Sequence, residues 1–173
     1  MRHLLIATLP PVKITVIGTG YVGLEGISPI YEPELEDLLK RNLKAGRISF
    51  TTELAEALPD SKVVFSAVAT PPNEDFSADL RAVFIVAESV AKLADHDVVF
   101  VNKSTVPVGT GKKCEEKIAA VLKERGTDIS IPVVSNPEFL REGHAVHDTM
   151  QPDRIVVGIN PSASLRTGSE EWA

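Results

Sequence analysis

The sequence predicts an α/β domain built on a mostly parallel sheet, and three observations carry that prediction. A β-branched apolar run, Ile14-Thr-Val-Ile17, enters a glycine loop spaced Gly18-x-Gly20-x-x-Gly23, the pattern of a first strand turning into a helix beneath a dinucleotide pyrophosphate. Short apolar runs then alternate with stretches of helical periodicity. Each apolar run ends in a polar cluster, as strands do when their carboxyl ends line a ligand crevice.

In the glycine loop, Gly18 allows the tight turn, Gly20 lets phosphates approach the backbone, and Gly23 lets the helix pack closely on the strand. The helix that should follow barely begins, because Gly26 and Pro29 stand where it would have to continue. A βαβ unit needs about 30 residues, with an acidic residue about 20 positions beyond the loop to hold the ribose hydroxyls. That window holds Glu34, Glu36 and Asp37. They lie in a segment where Leu35, Leu38, Leu39 and Leu43 recur at helical spacing and Gly46 suits a C-terminal cap, so they read as the solvated face of an amphipathic helix.

Beyond Gly46, residues 48–51 read as a short strand and 53–58 as a short helix stopped by Pro59. The run 62–69 is almost wholly apolar, as a central strand buried on both faces should be, and Thr70-Pro-Pro72 breaks it. Residues 79–93 follow with Leu80, Val83, Phe84, Val86, Ala87 and Val90 at helical spacing and Asp79 as N-cap. Strands are expected at 97–101, 131–135 and 154–159, with a helix over 111–122 between the first two. Residues 1–11 read as an N-terminal extension, 12–159 as the single folded domain, and 160–173 as a polar tail.

Composition narrows the function classes. With 173 residues and 43% hydrophobic content, the chain supports one sizeable core. A formal net charge of -6 with no basic block argues against a nucleic-acid partner. The apolar run Leu4–Leu9 ends at Pro10-Pro11, short of a signal-peptide core or a membrane span, which points to a cytoplasmic protein that does not engage a membrane. The single cysteine, Cys114, sits in a helical stretch and reads as a half-buried helical thiol with no base beside it.

Three strand ends collect the candidate chemistry. Thr70 and the Ser104-Thr105 pair offer hydroxyls for a ribose, a phosphate or a water, or equally for local turn bonding. Glu138 and Glu142 share a helix face if 139–143 is helical, and such a pair can steer a water or hold sugar hydroxyls. Arg141 suits a nucleotide phosphate or a surface ion pair. His144 and His147 with Asp148 are too sparse a set to indicate a metal, and no metal site is expected.

Taken together, the runs 16–24, 29–33, 101–110, 135–143 and 152–158 resemble the N-terminal domain of the UDP-glucose/GDP-mannose dehydrogenase family. The resemblance implies a Rossmann-type, doubly wound, mostly parallel sheet, here lacking its second strand and flanking helices, because Glu25 abuts Gly26 where the family continues through an αβα segment. It implies NAD as cofactor and a UDP-sugar, UDP-glucose foremost, as substrate, oxidised twice at C6 through a cysteine-bound thioester. On matching positions Gly18, Gly20, Tyr21, Val22, Gly23, Val68, Ala69, Thr70, Pro71, Ser104, Thr105 and Glu142 would bind NAD. Thr105 and Glu138 would position and deprotonate the hydrolytic water, and Glu138, Phe139, Leu140, Arg141 and Glu142 would contact the sugar nucleotide. The family's catalytic cysteine motif and dimerisation helix have no counterpart in the sequence, so the expectation is a fragment inactive alone, outside the family's homo-oligomer. The alternative is a non-catalytic remnant that binds no cofactor.

Overall fold

In the computed structural model, residues 12–18 and 32–160 are described. Gly20, Tyr21, Val22, Gly23, the Glu25–Gly26 junction, the extension 1–11 and residues 161–173 lie outside the described residues. Five strands form one sheet in chain order: β1 (Ile14–Ile17), β2 (Val63–Ser66), β3 (Val99–Asn102), β4 (Val133–Ser135) and β5 (Gly158–Ile159). The first four pair in parallel and β5 returns antiparallel to β4. Between them lie α1 (Leu35–Lys44), α2 (Leu54–Ala57), α3 (Arg81–Leu93), α4 (Thr110–Arg125) and α5 (Ala145–Met150).

Successive parallel strands joined by right-handed crossovers place their connecting helices on one face of the sheet. That face holds the core. Val64, Phe100 and Val133 share a rung of β2, β3 and β4 and are buried. Against them pack Val83, Ala87 and Val90 of α3 and Cys114 and Ile118 of α4. The α3 set Val83, Val86, Ala87, Val90 and Ala91 is buried at the spacing of one helix stripe. The N-cap of α3 is Leu80 and not Asp79 as expected; Asp79, one position further upstream, accepts the Arg81 N–H with its Oδ1 (3.0 Å). Gly46 (φ +66°) ends α1 as expected, with the Gly46 N–H on the Leu43 carbonyl and the Arg47 N–H on that of Asn42.

On the other face β1 exposes about half of Ile14 and Val16. A doubly wound sheet carries helices on both faces because strands continue on the far side of its first strand. Among the described residues β1 stands at the end of the sheet.

Two expectations need correction. Residues 48–51 are not a strand: they have no ladder partner, and the Thr51 hydroxyl instead accepts the Glu53 N–H and donates to the Glu56 carboxylate at the start of α2. The last strand shrinks to Gly158–Ile159, and residues 154–157 run outside the ladder with Ile155 and Val157 mostly exposed.

Candidate functional site

The carboxyl ends of β1 to β4 form one rung, Ile17–Ser66–Asn102–Ser135. Just above it the chain turns at Gly18 (φ +106°), so close to β2 that a Cβ would lie 2.6 Å from the Ala67 carbonyl oxygen. Only glycine fits that approach. Gly18 thus has a local reason to be glycine, and Gly20, Tyr21, Val22 and Gly23 lie outside the described residues.

Two side-chain bonds weld the β2 and β3 ends together. The Ser104 hydroxyl donates to the Val68 carbonyl (2.6 Å), and that of Thr70 to the Thr105 carbonyl (3.1 Å). Val68 and Thr70 are half-buried, while Ala69, Pro71 and Thr105 reach solvent. The hydroxyls of Ser104 and Thr70 are thus spent on neighbouring carbonyls, the local bonding that the sequence left open for them. Thr105 is presented at the surface beside them.

Beneath this edge, Ser66 and Asn102 are buried with the Ser66 hydroxyl and both polar atoms of the Asn102 amide without a hydrogen-bond partner among the described residues. Orphaned polar groups are rare inside proteins and concentrate where a ligand or ordered water belongs. They sit on the core face, directly under the strand ends where a parallel sheet binds its ligand.

The third strand end opens a separate cavity of about 450 Å³, lined by Lys103, Asn136, Glu138, Phe139, Arg141 and Arg154 among others. Lys103 Nζ reaches Asn136 Oδ1 (3.5 Å), the Asn136 amide donates to the Val156 carbonyl (2.9 Å), and the Arg154 guanidinium lies over the Phe139 ring, 4.3 Å from its centroid. Residues 139–143 are not helical, which corrects the shared-face expectation for Glu138 and Glu142. Glu138 instead folds back to accept the Leu140 N–H (2.6 Å), a local bond that competes with helix formation. Glu142 is exposed in the turn before α5 and, like Thr105, does not line the cavity. The predicted convergence of three strand ends is thus met for Thr70, Ser104 and Thr105, while Glu138 to Arg141 gather around a cavity of their own.

Arg141 takes the ion-pair option. Its guanidinium grips Asp148 through two bonds (2.9 and 2.7 Å) and holds that carboxyl well below the usual carboxylate range. Asp148 is thereby committed, and no group of metal-ligand residues occurs among the described residues. Sequence reasoning missed Glu32. Its buried carboxylate accepts the Gly143 N–H (2.8 Å) and that of Ala145, pinning the start of α5 across 113 positions of chain. Its one signal was membership of the run 29–33. Lys103 and Arg154, too, are marked as site residues in the sequence only by lying in the runs 101–110 and 152–158. Cys114 is fully buried rather than half-buried, and burial pushes its thiol up to about 11. No helix among the described residues is long and apolar enough to cross a membrane.

Comparison with known proteins follows this geometry. The sequence profile described as the UDP-glucose/GDP-mannose dehydrogenase family, NAD binding domain, matches residues 25–172. A UDP-glucose 6-dehydrogenase of Pseudomonas aeruginosa is 43% identical over 183 positions, covering 90% of this chain and 40% of the relative. A Bacillus subtilis UDP-glucose 6-dehydrogenase is 40% identical over 185 positions, covering 91% and 41%. The chain thus spans about two fifths of these relatives. A solved UDP-glucose dehydrogenase from Pyrobaculum islandicum superposes with a TM-score of 0.78 at 35% identity, covering 91% of this chain and 43% of that one. A GDP-mannose dehydrogenase ternary complex from Pseudomonas aeruginosa gives 0.76 at 28% identity, covering 86% and 41%. The 183 positions aligned to the Pseudomonas relative exceed the about 156 residues that 90% of this chain supplies, so about 27 of them face no residue here. The Bacillus alignment leaves about 28 in the same way.

Proposed function

We propose that this chain, which belongs to the UDP-glucose/GDP-mannose dehydrogenase family and matches its NAD-binding domain, is the cofactor-facing part of an NAD-dependent UDP-glucose 6-dehydrogenase. That enzyme type converts the C6 alcohol of UDP-glucose into the carboxylate of UDP-glucuronate. The observation that carries the reading is the Gly18 turn pressed against the end of β2, beside strand ends locked by Ser104 and Thr70.

NAD, when bound, supplies the hydride acceptor. Gly18 through Gly23 would hold its pyrophosphate, and Val68 to Pro71 with Ser104, Thr105 and Glu142 would border it. In this reading Thr105, exposed at the end of β3, would hydrogen-bond the hydrolytic water and Glu138 would take its proton once the rest of the enzyme brings them together, since Glu138 borders a separate cavity here. Residues 138–142 would contact the sugar nucleotide, residues 138–141 from the cavity, where the Arg154–Phe139 stack forms one wall, and Glu142 from outside it. Cys114 has no part in this chemistry, because a buried thiol with a raised pKa is no nucleophile.

The same geometry makes the isolated chain a poor NAD binder. A dinucleotide spans the crevice on both sides of the first strand, and the outer side of β1 has no strand beside it among the described residues. Loss of one charged ribose contact alone removes about 1.5–3 kcal/mol. Calorimetric titration of NAD into the 173-residue chain is therefore expected to show no saturation below millimolar cofactor, and no turnover of UDP-glucose. Inserting after Glu25 the unmatched segment of the Pseudomonas relative should tighten NAD binding at least tenfold. Saturation at low micromolar NAD in the chain as it stands would refute the incomplete crevice. Failure of the insertion to raise affinity would favour the second reading, a remnant without cofactor binding, for which the shortfall of about 27 positions speaks.

A further inference from the structure

The run 138–142, whose first four residues line the 450 Å³ cavity, has little of its own to hold it in place. Residues 138–144 are all exposed, Phe139 and Leu140 included. Upstream the run is tied to the sheet, where the Asn136 N–H donates to the Asn102 carbonyl (2.9 Å) and the Asn136 side-chain amide to that of Val156 (2.9 Å). Downstream it enters α5 through Gly143, a left-handed turn at φ +80°. α5 buries no residue, so packing does not fix it. A second cavity of about 470 Å³, lined by residues of 32–34 and of 143–151, separates it further from its neighbours.

Hydrogen bonds fix α5 instead. Glu32, 7% exposed, accepts the Gly143 N–H (2.8 Å) with one carboxylate oxygen and the Ala145 N–H with the other. From α5 a second tie returns to the run: Asp148 accepts the Arg141 N–H (3.2 Å) besides gripping its guanidinium. Glu32, α5 and Arg141 thus form one chain of bonds that ends at the cavity.

An exposed helix start does not need a buried carboxylate. Water or a local cap satisfies its N–H groups, and the N-cap here, His144, makes no side-chain cap bond. A carboxylate brought from 111 positions upstream supplies what water cannot, a fixed place for the turn relative to the rest of the domain. Its own backbone is anchored too, since the Glu32 carbonyl accepts the Leu35 N–H (3.2 Å) at the entry to α1. Bonds from backbone N–H groups to a carboxylate belong to the strong, charge-assisted class.

We propose that Glu32 is a positioning residue: through Gly143 and Ala145 it sets the place of α5, and thereby of the 138–142 run that borders the cavity. The proposal rests on the reading above for the ligand, a sugar nucleotide, and on this geometry alone for the tie.

Amide hydrogen exchange by NMR on the full 173-residue chain and on its Glu32→Ala and Glu32→Gln variants reads the tie. Titration with UDP-glucose, followed on the same amide signals, reads its use. Expected in Glu32→Ala is exchange about tenfold faster or more at Arg141, Gly143 and Ala145, with the core amides of Val64 and Phe100 unchanged. UDP-glucose binding should weaken about fivefold or more. Glu32→Gln should fall between, because its one carbonyl oxygen accepts one of the two N–H groups while its amide nitrogen faces the other. A merely structural role would speed exchange in core and run alike; that outcome in both variants, or loss of folding in both, overturns the proposal. So does unchanged exchange at Gly143 and Ala145, or faster exchange with undiminished UDP-glucose affinity. If the unaltered chain does not respond to millimolar UDP-glucose, the sugar-nucleotide reading of the cavity fails, and the exchange pattern alone decides whether Glu32 positions the run.

Discussion

Replacing Asn102 by leucine should stabilise the domain. Leucine keeps the γ-branching and heavy-atom count of asparagine, so the exchange removes the amide's polar atoms, and the neighbouring side chains must make room for its bulkier, tetrahedral branch. Asn102 is 1% exposed, and neither atom of its amide finds a partner among the described residues. A buried polar group in that condition costs about 1–3 kcal/mol, which the substitution returns. For a domain of this size each kcal/mol moves the melting temperature by about 2–4 °C, so Asn102→Leu is expected to raise it by roughly 2–12 °C. Reversible melting followed by circular dichroism, with urea titration as a second measure, checks the value. A melting temperature lowered by the exchange would refute the reasoning, since it would mean that ordered water or another group satisfies the amide. A stabilising exchange would show that the polar rung is kept at a cost to folding.

The Gly18 turn gives a sharper loss. Gly18→Ala puts a Cβ 2.6 Å from the Ala67 carbonyl oxygen at a φ of +106°, and both faults should destabilise the domain by about 2 kcal/mol or more in urea denaturation. Cys114, buried and with its thiol pushed up to about 11, should stay unreactive to an aromatic disulfide reagent at pH 8 until denaturant is added; rapid native-state labelling would contradict its burial. His96 gives a pH dependence. Its Nδ1 lies 2.6 Å from Asp95 and its Nε2 2.7 Å from the Ser61 carbonyl, and the bond to Asp95 first, then that to Ser61, raises its pKa above the usual histidine value. A raised folded-state value means the stabilisation is fully present below the unfolded pKa of about 6.5 and is lost as pH rises through the folded one. The melting temperature should therefore fall across that window, and His96→Gln should remove the fall.

How much was legible in the sequence depends on whether the signal was local. The stripe of α3 could be read because five buried positions repeat at helical spacing, and the Gly46 cap because a left-handed residue after a helix has a residue-level signature. Residues 48–51 misled because β-branched and aromatic residues report a preference for a pleated, half-buried surface, while a strand also needs a neighbour. Residues 139–143 misled because two glutamates four apart suit a helix, yet Glu138 closes its own turn on Leu140. Beyond its membership of the run 29–33, the role of Glu32 could not be read. Its two bonds reach Gly143 and Ala145, and no pattern within a window connects such distant positions.

The distribution of these features separates what holds the domain together from what it would bind. Phe100, Val64 and Val133, with α3 and α4 across them, form a core on one face of the sheet, complete without anything beyond β1. The proposed cofactor crevice depends on what lies on the other side of β1. A chain with about 27 fewer positions than its curated relative over the aligned span thus keeps a packed core and locked strand ends. Core mutations should accordingly move stability alone. If the proposed crevice is completed by what lies beyond β1, inserting the unmatched segment of the relative there should raise NAD affinity and leave the packing of Val64, Phe100 and Val133 unchanged.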